Sequence, residues 1–171
     1  LYHETLNRCF TALKADGEDL AKQDDAAVAT LVSQQMQQLL GEAGWEILGA
    51  NARMAYVASR TQAMLIAVLT AIRDQQLRGQ FRTRNTELPF GMGNGGEHLQ
   101  PLVLPLDPQH SITVRGKIDR LDTVAVNGED YFLIIDYKYS ARKFDPLQAY
   151  YGVALQMLTY IDAAQRGMPD T

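Results

Sequence analysis

The chain has 171 residues, 46% of them apolar and 21% charged, the composition of a folded domain large enough for a real hydrophobic core. Its net charge of −4 and pI near 5.3 exclude a global basic field, so any contact with nucleic acid must rest on local patches or on metal ions. No run approaches 18 uninterrupted apolar residues, so no membrane span is expected, and the single cysteine, Cys9, excludes an internal disulfide or an all-cysteine metal site within the chain. One cysteine fits a reducing cytosol. A start at Leu1, with no methionine and no leader pattern, reads as a piece of a longer protein.

Residues 1–15 repeat Leu6, Cys9, Phe10 and Leu13 at helical spacing. Asp24 and Asp25 can cap a second helix that carries Val28, Leu31, Val32, Met36, Leu39 and Leu40 and stops at Gly41. Asn51 can cap a third, long helix with Met54, Val57, Leu65, Val68, Leu69 and Ile72 in its stripe and Gly79 at its end. Trp45, beside Ile47 and Leu48, reads as core. The first 80 residues are thus predicted helical. The pattern then changes to strands near 84–90, 102–106, 111–126 and 131–138. The stretch GMGNGGEH at 91–98 reads as a flexible connection, since no helix follows it as a phosphate loop requires. Asn127-Gly128 is a strong hairpin signal. A fourth helix is predicted from Asp145-Pro146 to Gly167, with Leu147, Tyr151, Leu155, Leu158 and Ile161 on its packed side. Gly152 inside it suggests a close contact that needs its missing side chain. The order is helices, antiparallel strands, helix: an α+β domain spanning 1–171, helical over 1–80 and strand-rich over 81–171.

The hairpin brings charge together. A two-residue turn at Asn127-Gly128 sets Asp119 opposite Asp136, and a four-residue loop sets it opposite Lys138. Either way the three share one face, because strand side chains alternate. Opposed carboxylates repel unless neutralised. A divalent cation such as Mg²⁺ neutralises them, and Lys138 then orients a water or stabilises phosphoryl charge. A plain cross-strand salt bridge at a sheet edge accounts for the same spacing. The apolar run FLII before Asp136 suggests a central strand.

GKIDRLD at 116–122, IIDYKYS at 134–140 and AYYGVALQMLTYIDAA at 149–164 together resemble the nuclease motifs of the PD-(D/E)XK superfamily in its RecB-like branch. Within that branch they look most like the C-terminal nuclease domains of ATP-dependent helicase/nuclease B subunits of the AddB/RexB type. The close likeness covers 116–164. It implies a restriction-endonuclease-like core, a central, mostly antiparallel mixed sheet flanked by helices. It implies Mg²⁺, or Mn²⁺ in its place, on Asp119, Asp136 and the Tyr137 backbone carbonyl, with His3 as a further ligand from an early helix. Lys138 becomes the catalytic lysine, and Gln156 and Tyr160, four apart on one helix face, lie near the site and the DNA backbone. Glu87 in NTELPFG resembles the acidic residue of the first core strand. Many relatives hold a [4Fe–4S] cluster on four cysteines outside the matching segment. Cys9 matches none of these, so this chain alone cannot hold the cluster.

The resemblance also implies DNA as substrate, both duplex ends and single strands, a helicase/nuclease A subunit as partner, a bacterial cytoplasm and no membrane. No Walker phosphate loop is present, so the motor lies elsewhere. Arg78, Arg82, Arg84, Arg115, Lys117, Arg142 and Lys143 are candidates for a basic lining, His98 and His110 read as surface, and Tyr150 and Tyr151 as packing residues. The rival readings are a phage-type or CRISPR-associated exonuclease and a catalytically silent nuclease fold that serves as a scaffold.

Overall fold

The computed structural model describes residues 1–45, 51–92, 97–138, 145–152 and 154–167. It divides into two compact units, Leu1–Gln80 and Phe81–Thr171. The first is helical: α1 (Tyr2–Ala15), a single 3₁₀ turn (Leu20–Lys22), α2 (Asp25–Leu40) and α3 (Ala52–Arg78). Its starts are those the caps foretell. Asp24 accepts the Ala27 N–H at 2.7 Å and Asn51 the Met54 N–H at 3.0 Å, each satisfying a donor that the first turn leaves over. Leu6, Cys9, Phe10 and Leu13 of α1, Val28, Val32, Met36 and Leu39 of α2, and Leu65, Leu69 and Ile72 of α3 are all buried. By length and composition alone α3 would serve to cross a membrane, yet it packs on α1, α2 and the 3₁₀ turn. Trp45 is half-buried, and its neighbours Ile47 and Leu48 lie outside the described residues.

The second unit is built on a three-stranded antiparallel sheet in the order β1 (Arg82–Phe90), β4 (Gly116–Val126), β5 (Glu129–Ile135). Beside it runs a two-stranded ribbon of β2 (Leu102–Pro105) and β3 (Ser111–Val114). Among the described residues every ladder is antiparallel, and a parallel bridge joins Phe90 to Leu99. The architecture is the expected α+β one. Leu88, Phe90, Leu99, Ile118 and Leu121 form a core with Tyr160, Ala163 and Ala164 of α5 (Gln156–Gly167), and Val114, Phe132 and Ile134 pack against it.

Several expectations are corrected. The predicted strand 111–126 is two strands in two sheets, divided at Arg115. β5 stops at Ile135, before Asp136, and among the described residues it pairs with β4 alone. The predicted helix from Asp145 to Gly167 is also two: α4 (Pro146–Tyr150) and α5. Gly152 lies in the break at φ +74, and a Cβ there would meet nothing within 4 Å. The left-handed backbone explains this glycine, not a close neighbour. Its consequence is that Leu147, Tyr150, Tyr151, Leu155 and Leu158 are exposed instead of packed, with Tyr150 at 83%. The centre of the glycine-rich stretch, 93–96, lies outside the described residues.

Candidate metal centre and catalytic cluster

The turn decides the register. Asn127 and Gly128 both take positive φ, 56° and 86°, the primed turn that matches strand twist. β4 and β5 therefore pair as Val126↔Glu129 through Arg120↔Ile135. One step further along the same register, Asp119 comes opposite Asp136, the two-residue alternative. There the ladder gives way to side chains. Asp119 Oδ2 accepts the Tyr137 N–H at 2.7 Å, so a carboxylate stands where a strand carbonyl would.

Asp136 and Lys138, two apart on an extended segment, fall on one side of it, and Lys138 Nζ lies 2.7 Å from Asp136 Oδ2. Asp136 has a side-chain exposure of 10%, against 43% for Lys138. The carboxylate is thus set into the surface with the amine above it. Gln156, first residue of α5, ties them together. Its Oε1 accepts from Lys138 Nζ at 2.9 Å, while its Nε2 donates to Asp136 Oδ1 at 3.2 Å and to the Tyr160 hydroxyl at 2.8 Å. A lysine only donates and a carboxylate only accepts, so these partners allow one orientation of the amide. Burial, with the nearby charges of Asp136 and Asp119, raises the Tyr160 pKa above the ordinary tyrosine value, against the Gln156 bond and Lys138, which lower it. The phenol stays neutral at physiological pH.

Glu87 belongs here as well. Its φ of 50° is left-handed inside a strand, a conformation that costs a non-glycine residue about 1–2 kcal/mol. Its carboxylate reaches Lys117 Nζ at 2.9 Å, and one of its oxygens lies within 4.8 Å of one of Asp119. Glu87 and Asp119 offer hard oxygen donors, the chemistry a divalent cation such as Mg²⁺ takes, and two like charges at this spacing favour one.

The structure therefore joins Asp136, Lys138, Gln156 and Tyr160 by side-chain bonds, and holds Asp119 to Tyr137. His3 stands in the first turn of α1, in the helical unit, its ring edge-on to Tyr2. Much of the expected basic lining is already engaged: Arg84 is 3.6 Å from Glu97, Lys117 is on Glu87, and Arg78 donates to the Asp74 carbonyl. Arg142 and Lys143 lie outside the described residues. His98 and His110 are exposed, His110 against Asp107 at 2.8 Å. Cys9 is buried in the helical unit.

Two features had no role in the sequence reading. Gly116 opens β4 without a side chain because the Phe90 ring lies 2.8 Å from where its Cβ would be. Phe90 in turn meets the Tyr160 ring edge-on at 5.9 Å. Arg120 and Asp122 are both buried and paired at 2.9 Å. Their i, i+2 spacing in a strand was the only available signal.

Along residues 1–171 the chain matches the PD-(D/E)XK nuclease superfamily. It is 43% identical over 163 residues to the B subunit of the ATP-dependent helicase/deoxyribonuclease of Lacticaseibacillus casei, covering 95% of this chain and 14% of that protein. To the protein of the same name from Enterococcus faecalis it is 37% identical, again over 95% and 14%. To that of Moorella thermoacetica it is 31% identical, over 99% and 14%. The chain thus spans about one seventh of the length of these relatives. A match along its whole length places the chain in the PD-(D/E)XK nuclease superfamily.

Proposed function

We propose that the chain is the DNA-cleaving domain of a helicase/nuclease B subunit that works with an A subunit on double-strand break ends in the bacterial cytoplasm. The observation that carries this reading is the cluster in which Asp136, Lys138, Gln156 and Tyr160 are bonded to one another beside Asp119. A silent scaffold has no need of a catalytic lysine bonded to both the carboxylate and the glutamine. The names of the relatives support the deoxyribonuclease activity and the larger subunit.

Asp119 and Asp136 would hold Mg²⁺ or Mn²⁺, with Glu87, the Tyr137 carbonyl and His3 as further candidate ligands, and the ion would supply Lewis acidity and a water of lowered pKa. The remaining work falls to the chain. Lys138, anchored by Gln156 and Asp136, presents its remaining N–H to a non-bridging phosphate oxygen and stabilises the charge that develops at phosphorus. Gln156 keeps the amine from collapsing wholly onto Asp136. Neutral Tyr160 fixes Gln156 without adding charge. Water adds in line to phosphorus and the P–O3′ bond breaks. The products are a 3′-hydroxyl, which takes up a proton, and a 5′-phosphate.

The test is the full-length protein with its partner subunit on linear duplex DNA with Mg²⁺, beside Asp136→Ala. The variant should unwind DNA and fail to make the cuts assigned to this subunit. Undiminished cutting would sink the assignment and leave the scaffold reading.

A further inference from the structure

Arg120 heads the largest fully buried side chains among the described residues, at 1% exposure. One arm of its guanidinium holds Asp122, itself 1% exposed, at 2.9 Å. The other arm, Nη1, donates to the Tyr137 hydroxyl at 3.2 Å, and the guanidinium carbon lies 6.0 Å from the centre of that ring. Burying such a pair is not a route to stability, since an apolar pair of similar volume is commonly as stable or more so. Here it is also incompletely satisfied: among the described residues, Arg120 Nε and Asp122 Oδ1 are buried with no hydrogen-bond partner.

Tyr137 shows what the pair serves. It stands between Asp136 and Lys138, beyond the last rung of the β4–β5 ladder. Asp119 holds its N–H and Arg120 its hydroxyl, so two consecutive residues of β4 grip the two ends of one tyrosine. Arg120 pairs with Ile135, which makes Tyr137 its diagonal neighbour, within reach of a long side chain. In an extended segment, fixing the Tyr137 side chain on one side fixes Asp136 and Lys138 on the other.

We infer that Arg120, braced by Asp122, is a positioning residue that acts through the Tyr137 hydroxyl to aim Asp136 and Lys138. The inference rests on the proposed nuclease reading. Its test uses the full-length protein with its partner, with Asp136→Ala as the blank for cuts made elsewhere. Tyr137→Phe removes one hydroxyl. Arg120→Met with Asp122→Leu removes the buried charges together. Each should lower kcat at least tenfold with KM for DNA within threefold of wild type, and the combination should be no worse than either, because both cut the same link. By hydrogen exchange, the peptide over 133–138 should lose protection at least tenfold while β4 keeps its own. Wild-type kcat in Tyr137→Phe, additive losses, or exchange rising equally throughout β4 would overturn the inference. If Asp136→Ala itself cuts like wild type, the nuclease reading fails and takes this one with it. If only Asp136→Ala is silent, the nuclease reading stands and the positioning role is wrong.

Discussion

Gln156 is bonded to an ammonium on one side and to a carboxylate and a phenol on the other, so a change of one atom tests the site. Gln156→Glu retains the oxygen facing Lys138 and replaces the donor facing Asp136 with a second oxygen. The loss of a donor to a charged group, with repulsion added, is expected to raise the barrier by about 1.5–3 kcal/mol, or roughly ten- to hundredfold in kcat. Single-turnover cleavage under saturating Mg²⁺ reads this directly, and a rate within twofold of wild type would place Gln156 outside the machinery. Cys9 provides an independent check on the helical unit. Burial pushes its thiol pKa up to about 12, so at pH 8 it should resist a thiol reagent until the helices unfold, and rapid native labelling would contradict the packing of α1. Asp119, Asp136 and Lys138 were legible because a hairpin turn and a period of two bring them together by local rules, and Gln156 and Tyr160 because helix positions four apart share a face. Arg120 and Asp122 sit inside the same motif, and their spacing shows only that they share a face, not that the face is buried. A charged residue in sequence defaults to solvent, and only the tertiary fold reveals that this pair is buried.

The elements were legible where caps and turns mark them and obscure where one backbone angle decides. Apolar spacing from Leu147 to Ile161 fits a single helix, yet Gly152 at φ +74 divides it. Neither neighbours nor spacing announce that angle. At Arg115 the chain passes from one sheet to another, and the single glycine beside it, Gly116, lies inside the next strand and does not mark a turn. Gly152→Ala should lower stability by about 1–2 kcal/mol, from the left-handed backbone alone, as measured by urea denaturation. An unchanged midpoint would mean the break relaxes into a continuous helix. Gly116→Ala acts by a different route. Its Cβ would lie 2.8 Å from the Phe90 ring, and overpacking of this kind costs about 1–3 kcal/mol. Phe90 touches Tyr160, which holds Gln156, so the same substitution should slow cleavage at temperatures where the protein remains folded. If stability drops while kcat does not, the path from the first motif glycine to Gln156 is not mechanical.

For the whole molecule the question is how an acidic chain meets DNA. Residues 81–171 carry nine lysines and arginines against eleven aspartates and glutamates. Of the nine, Arg120 is buried with Asp122, Arg84 and Lys117 face glutamates, Lys138 faces Asp136, and Arg166 faces Asp162. The exposed pairs, Arg84–Glu97 and Arg166–Asp162, exchange partners at little cost, but an arginine that leaves Glu97 for a phosphate exposes a carboxylate to the same strand. Under the proposed function, affinity then depends on cations brought from solution or on chain beyond these residues; the relatives are about seven times as long. A single-stranded oligonucleotide titrated against this chain in chelator, from 50 to 200 mM NaCl, should bind weakly with a slope of log K on log salt below about 3 in magnitude, fewer than roughly four neutralised phosphates. Mn²⁺ with an uncleavable oligonucleotide should restore binding, since neutralising the site carboxylates removes the local repulsion. A slope above about 6 without metal would reveal an extended basic track on this chain and make its net charge a poor guide. A slope that stays shallow, with no gain from Mn²⁺, would separate DNA capture from cleavage and assign capture to the remainder of the subunit.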